Sequence, residues 1–254
     1  MALSEGSHAS SWWREEEGKR YERGRPDYPD DLVELLTDEL RLRAGGNVVD
    51  LAAGTGKLTR LLTSTPADVT AVEPMPGMRS QLRRYAPGAH IVAGTAEHLP
   101  LASGSVEAAT VAQAFHWFDV PVASHELHRV LRPGGRLALV TNKRHTPEAW
   151  LRDLWDVLRR YEQLAPRPPS TRNWRRMLDE TGDFGSFDRF ELHNEQHFAS
   201  LDELDARFTS ISFVILLGEE DRSALVRDLH RAVAGVRELI VPLRTEVEIG
   251  TRRG

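Results

Sequence analysis

Short apolar runs alternate with segments whose apolar residues recur at helical spacing along the first part of the chain. The stretch RPDYPDDLVELLTDELRLRAGG predicts a helix: Pro29 suits a first turn, Leu32, Leu35, Leu36 and Leu40 share a face, and Gly45 can end it. Then follow NVVDLA, a helix with Leu58, Leu61 and Leu62, VTAVE, a helix with Met78, Leu82 and Tyr85, and HIVAG. VEAATVAQAF, a helix with Leu127, Val130 and Leu131, and RLALVTN continue the series. Strand and helix in regular alternation predict an α/β fold with a mostly parallel sheet covered on both faces.

After Asn142 the rhythm changes. A helix with Trp150, Leu154, Leu158 and Tyr161, a Pro-rich break APRPPSTRNW and a second helical piece suggest a cap near the carboxyl edge of the sheet. FDRFELHNEQHF reads as a later strand, and LDELDARFTSISFVILL is mixed. Ala224, Leu225, Leu229, Val233, Val236 and Ile240 outline a further amphipathic helix. In the tail Val241, Leu243, Thr245, Val247 and Ile249 alternate with Pro242, Arg244, Glu246 and Glu248, the period of a half-buried strand that closes the sheet antiparallel. The expected organisation is an N-terminal lid segment 1–28, in which Trp12, Trp13 and Tyr21 are the large apolar side chains. A core 29–145, a helical cap 146–182 and a C-terminal part 183–254 that completes sheet and cap follow it.

Composition narrows the function classes. The 254 residues carry 33 Lys and Arg against 38 Asp and Glu, a net charge of −5 that does not favour a polyanionic partner such as nucleic acid. With no cysteine, thiolate catalysis and Cys-ligated zinc are excluded. No apolar run approaches the ~20 residues of a membrane helix, and the N-terminus lacks the apolar core of a signal peptide. A soluble, cytoplasmic protein is expected. His125 and His128 lack a third ligand, and His193 and His197 are about 13 Å apart on a strand, so no metal site is expected.

The chemistry centres on VVDLAAGTGKLTRLL, where a strand runs into a helix through glycines. Glycine there lets backbone approach a ligand and adopt positive φ. A phosphate-cradling P-loop would need glycine at Leu51 and Ser or Thr at Leu58, so Gly56-Lys57 is a two-letter coincidence. A dinucleotide fingerprint would use Gly54 and Gly56 but meets Thr59 in its third place, which leaves NAD as an alternative. S-adenosylmethionine, which has no phosphate, needs open backbone beside its amino acid part and a carboxylate for its ribose. Glu73, at the end of AVE, follows the turn at about the ~20-residue spacing of the nucleotide-binding pattern.

VVDLAAGTGKLT, AVEP, GTAEHLPL, QAFHWFD and RVLRPGGRLALV, in this order and spacing, resemble the successive motifs of class I S-adenosylmethionine-dependent methyltransferases. The resemblance runs from Tyr21 to Asn142 and is strongest to the small-molecule branch that includes ubiquinone/menaquinone and trans-aconitate methyltransferases. It implies a Rossmann-like, seven-stranded, mostly parallel sheet with an antiparallel last strand and an inserted helical cap. Many members join their last two strands by a short hairpin, whereas here helical sequence from Leu201 to Ile240 intervenes.

The resemblance implies that Asp50, Ala52, Gly54 and Gly56 line the methionine half of the cofactor and that Glu73 holds its ribose. Pro74 and Met75 would lie against the adenine. Where the family often has an aspartate this chain has Thr95, so the backbone of Ala96 and Glu97 becomes the expected adenine neighbour. Gln113 and Ala114 would border the methionine part, with Phe115, His116 and Trp117 nearer the transferred methyl, at the carboxyl edge where open α/β sheets bind ligands. Tyr21 and Arg25 in YERGRP are placed to lid the site, and Arg25 can pair a carboxylate through its planar fork.

Methyl transfer from a sulfonium is an in-line displacement in which the protein mainly aligns nucleophile, methyl and leaving sulfur. A carboxylate acceptor arrives ionised, but a hydroxyl must lose its proton, and His116 is then the candidate base. Packing against Trp117 is the other reading of His116. Trp150, Trp155, Tyr161 and Trp174 can wall an acceptor pocket or simply pack the cap. The expected function is methylation of a small organic molecule, preferably at oxygen. The alternatives are a protein that binds the same cofactor for cyclisation, rearrangement or regulation, and an NAD-dependent oxidoreductase.

Overall fold

The computed structural model describes residues 21–165 and 173–254. The expected lid segment is thus described only from Tyr21 onward; Trp12 and Trp13, and residues 166–172 of the Pro-rich break, lie outside the described residues. Seven strands, β1 (Asn47–Leu51), β2 (Asp68–Val72), β3 (His90–Val92), β4 (Val106–Ala112), β5 (Leu131–Arg144), β6 (Phe184–Phe198) and β7 (Leu239–Arg252), form one sheet. Its order is β3-β2-β1-β4-β5-β7-β6. β3, β2, β1, β4 and β5 pair in parallel, and β7 is antiparallel to both its neighbours. The fold class is therefore the Rossmann-like α/β arrangement the resemblance implied.

The last strand does not close the sheet at its edge, as the tail pattern suggested. It lies between β5 and β6, and β6 is the edge. The helical insertion between β6 and β7 leaves their ladder intact from Phe184↔Arg252 to Phe198↔Leu239, apart from a register shift near Phe184. Ile240 belongs to this ladder and not to the preceding helix.

Alternation within the strands sorts the helices onto two faces. On one face α1 (Asp31–Glu39) and α2 (Lys57–Leu62) pack their leucines on Val48, Val69, Ala108, Ala138, Val140, Val247 and Ile249. α3 (Pro76–Tyr85) brings Leu82 onto Ala71. On the opposite face α4 (Val120–Val130) covers Val49, Leu51, Ala109, Val111, Leu137 and Leu139. α1 stops at Leu40, where Arg41 turns left-handed at φ 56°; Gly45, expected to end it, lies in the turn leading to β1.

α5 (Ala149–Glu162), α7 (Leu201–Thr209), α8 (Ser212–Ile215) and α9 (Glu219–Ala232) build a second core. Leu151, Leu154 and Leu158 of α5 meet Leu204, Phe208, Val214, Leu225 and Leu229 there, together with Val241 and Leu243 of β7. Trp155 and Tyr161 are buried in this cluster, the packing role open to them from sequence. α6 (Trp174–Thr181), expected in the cap, instead places Leu178 in the core beneath α4. Among the described residues no helix is long and apolar enough to cross a membrane.

One face of β7 runs from one core to the other: Val241 and Leu243 enter the cap core, Val247 and Ile249 the sheet core, and fully buried Thr245 marks the seam. Asn194 Nδ2 donates to Asn142 Oδ1 at 3.1 Å and to the carbonyl of Asp27 at 2.9 Å, while Thr245 Oγ1 donates to Asn142 Oδ1 at 2.6 Å. Gln196 Nε2 donates to the carbonyl of Gly24 at 3.0 Å. The buried seam thus fastens residues 21–28 across the sheet as a strap, since buried carbonyls need partners. Asn194→Ala removes the hydrogen bonds to Asn142 and to the Asp27 carbonyl and is expected to lower unfolding free energy by about 1–3 kcal/mol. Urea denaturation measures this, and an unchanged midpoint contradicts the seam's role.

Candidate active site

The turn after β1 is left-handed at three positions within five residues: Ala52 at φ 54°, Gly54 at φ 61° and Gly56 at φ 96°. Alanine in this region costs on the order of 1 kcal/mol, so the turn holds some strain. The two glycines serve different ends. A Cβ added at Gly54 would meet nothing within 4 Å, so this backbone faces open space. A Cβ at Gly56 would come within 2.6 Å of Leu82 Cδ1, the tip of a side chain on α3, so glycine there serves both its φ of 96° and the close packing of α3.

Two buried carboxylates frame the turn. Asp50, 1% exposed, accepts from Thr59 Oγ1 at 2.6 Å and from Thr110 Oγ1 at 2.8 Å, which pins β1 to α2 and β4. Burial pushes its pKa up to about 6 against the pull of the two hydroxyls. Glu73, 4% exposed, reaches back from the end of β2. Its Oε2 accepts from Gly54 N at 2.9 Å and its Oε1 from Met75 N at 2.8 Å. Burial raises its pKa to about 7, opposed by the two backbone N–H groups and by Arg79. A carboxylate has about four acceptor positions. Two of Glu73's are taken by backbone, so the carboxylate keeps acceptor capacity beside the open face of Gly54.

Around this frame stand the other expected positions. Arg79 Nη1 caps the carbonyls of Glu73 and Pro74 at 2.8 and 2.6 Å, and Met75 is buried where Pro76 starts α3. Thr95 bridges His98, Ala96 is buried in the sheet core, and Glu97 Oε1 accepts from Asp119 N at 3.0 Å at the start of α4. After β4, Gln113 turns left-handed at φ 58° while its N–H donates to Val140 O at 2.9 Å. Ala114 then leads a single 3₁₀ turn, Phe115–Trp117.

That turn separates three residues that sequence grouped at the acceptor. Phe115 is 4% exposed and lies 5.3 Å from the rings of Phe118 and Trp174, so it is a core residue. His116 is only partly buried and its ring lies 4.8 Å from that of Trp117, itself partly buried. Burial, and then the charge of Arg25, hold the imidazole pKa below its usual value. Arg25 stacks 4.7 Å over the Tyr21 ring and its Nη2 donates to Ser210 O at 2.9 Å. Of the other histidines, His125 meets Asp183 at 2.8 Å, and both His193 and His197 reach Glu195.

Glu22 was not read from sequence. Its buried carboxylate accepts from Thr55 Oγ1, in the glycine turn, and from Lys57 Nζ at 3.2 Å. Lys57 and Arg60 also hold Asp27, each at 2.9 Å. The lysine that mimics a P-loop thus anchors the strap. Acidic residues in YERGRPD facing a basic GTGKLTR were the available signal.

The sheet order and a glycine turn answered by a carboxylate at the next strand define a Rossmann-like nucleotide-type site. A methyltransferase-domain family model matches residues 49–139. An uncharacterised methyltransferase of Mycobacterium tuberculosis is 47% identical over 160 residues, a match spanning 63% of this chain and 60% of that protein. An uncharacterised methyltransferase-like protein of Schizosaccharomyces pombe is 34% identical over 210 residues, covering 82% of this chain and 81% of that one. A ubiquinone/menaquinone biosynthesis C-methyltransferase of Rubrivivax gelatinosus is 38% identical over 120 residues, 45% of this chain and 46% of the relative. Among solved structures, one from Anaeromyxobacter dehalogenans, provisionally described as a type II methyltransferase, shares the fold with TM-score 0.63 and 23% identity over 90% of this chain and 97% of that chain. The chain belongs to the class I S-adenosylmethionine-dependent methyltransferases.

The raised carboxyl pKa values fix a direction for pH dependence. Both groups stabilise the fold most while protonated, below their ordinary range near pH 4, and this contribution is lost as pH rises through about 6 for Asp50 and about 7 for Glu73. Glu73→Gln removes the Glu73 part. Thermal melts are expected to show wild type losing about 1–3 kcal/mol more than this variant between about pH 5 and about pH 7.5. Equal slopes contradict the assignment.

Proposed function

We propose that this chain transfers a methyl group from S-adenosylmethionine to a small organic molecule at oxygen, either a carboxylate or a hydroxyl. The observation that carries the reading is the union of Gly54 and Glu73: an open left-handed glycine whose N–H is held at 2.9 Å by a buried carboxylate from the next strand. Family membership supplies the donor class. The donor, when bound, supplies an electrophilic methyl on a sulfonium.

In this reading the open backbone of Ala52 and Gly54 receives the methionine part, with Gln113 and Ala114 across from it. Asp50 and Gly56 act from beneath: one locks β1 to its neighbours, the other lets α3 pack close. Glu73 accepts from the ribose hydroxyls with its remaining lone pairs, and those bonds favour its ionised form. Pro74 and Met75 lie against the adenine beside Thr95, Ala96 and Glu97. Tyr21, Arg25, His116 and Trp117 face the acceptor. An imidazole with a lowered pKa is neutral near pH 7 and free to take a proton, so His116 is the base for a hydroxyl acceptor. A carboxylate acceptor needs none.

Calorimetric titration with S-adenosylmethionine, its demethylated product and NAD separates the donor from the dinucleotide alternative. Methyl-labelled donor with fractionated small-molecule extracts, read by mass spectrometry, separates transfer from binding without transfer. Glu73→Ala is expected to weaken donor binding by about 1–3 kcal/mol, and unchanged affinity removes the ribose role. With the acceptor in hand, His116→Ala is expected to lower turnover at neutral pH by about 100-fold or more. Near wild-type turnover removes the base and leaves an acceptor that arrives ionised.

A further inference from the structure

Three N–H groups at the junction of strap and cap are buried without a hydrogen-bond partner: Arg25 Nε, Arg207 Nη1 and Trp155 Nε1. Gln196 Oε1, whose amide partner holds Gly24, is buried and unpaired as well. The strap lies directly on α7. A Cβ at Gly24 would sit 2.2 Å from Ala206 O and 3.0 Å from Arg207 Cα, so glycine is needed there for close contact. Arg25 reaches past this contact to Ser210 O, 2.9 Å away. Trp155 of α5 lies edge-on to Phe208 at 5.5 Å, and Arg144 of β5 sits 4.2 Å over the Trp155 ring.

Arg25 and Arg207, with the exposed Arg144 beside them, therefore gather around Trp155 and the strap, and among the described residues none of the three forms an ion pair. Buried cations are normally paired, because removing a charge and its N–H groups from water is costly without an acceptor. The cost registers on Arg207: burial first, then the like charges of Arg25 and Arg144, bring its pKa down to about 9. Donors outnumber acceptors at the junction, which calls for an anion. Two planar guanidinium groups and an indole N–H supply donors of the kind and number that a carboxylate's oxygens accept.

We infer that the donor cluster of Arg25, Arg207 and Trp155 receives a carboxylate of the methyl acceptor, as a handle that presents the rest of the molecule to His116. The inference rests on the methyl-transfer reading. The charge of Arg25 acts on both His116 and Arg207, which sets the handle within electrostatic reach of the candidate base. Arg207 and Trp155 come from cap helices, whereas the strap's contact with the glycine turn is made by Glu22. The acceptor, and not the donor's own carboxylate, is thus the occupant.

The test uses the full chain and defined probes. With the demethylated donor product present, benzoate is expected to bind at least about tenfold more tightly than benzamide, and Arg207→Met to abolish that preference. Arg207→Met is also expected to leave affinity for the demethylated product unchanged and to raise the thermal midpoint of the ligand-free protein, since it removes an unpaired buried cation. Equal binding of benzoate and benzamide, or a preference retained in Arg207→Met, overturns the inference. So does a lowered midpoint. A variant that loses affinity for the demethylated product but keeps it for methylthioadenosine, which lacks the amino acid part, assigns the cluster to the donor instead. If wild type fails to bind the demethylated product, the methyl-transfer reading falls, while benzoate against benzamide without it still decides whether the cluster takes an anion.

Discussion

The carboxylate of Glu73 ties the glycine turn after β1 to the start of α3. One oxygen holds the N–H of Gly54 in the turn after β1, the other that of Met75 at the start of α3, and the whole group is cut off from water. A buried carboxylate is stabilised by such N–H groups and destabilised by the loss of solvent; here burial is the larger effect, and the neighbouring charge of Asp50 adds to it. The turn is kept in its strained, open form by a group that is itself held away from its preferred state. Asp50 works in the same manner one layer below, between Thr59 and Thr110. Strain and desolvation concentrated at one crevice are typical of sites shaped for a ligand and not for stability alone.

Most of the architecture was legible in the chain because its information is local. Strand and helix periods set the two faces of the sheet, and the strict alternation from Val241 to Ile249 was enough to predict a strand with one buried face. What alternation cannot encode is which edges of that strand are paired, so the place of β7 between β5 and β6 was missed. Gly54 and Gly56 look equivalent in sequence; only the path of α3, with Leu82 against Gly56, separates them. Phe115, His116 and Trp117 are consecutive, yet the tight turn they form sends the first into the core and leaves the other two nearer the surface. The importance of Glu22 and Arg207 depends on contacts between segments far apart in the chain, and neither carries a short-range pattern.

The strap couples regions that would otherwise be separate. Glu22 and Asp27 attach it to Thr55, Lys57 and Arg60 around the glycine turn, while Gly24 and Arg25 attach it to α7. Its carbonyls are held by Asn194 and Gln196 of the edge strand. Shared folds do not fix shared chemistry. What distinguishes members is the material laid over the carboxyl edge, and here that material is the strap and cap.

The helical insertion leaves the sheet after Phe198 and returns at Leu239, and these two residues are opposite partners in the ladder. Partners in an antiparallel pair lie about 5 Å apart, a gap that a two-residue hairpin can close. The inserted stretch is therefore a graft whose roots touch: exchanging it for a different length or sequence would leave the strand register, and with it the crevice at β1 and β2, as it stands. Such geometry lets evolution or an engineer change the insertion without rebuilding the sheet that carries it.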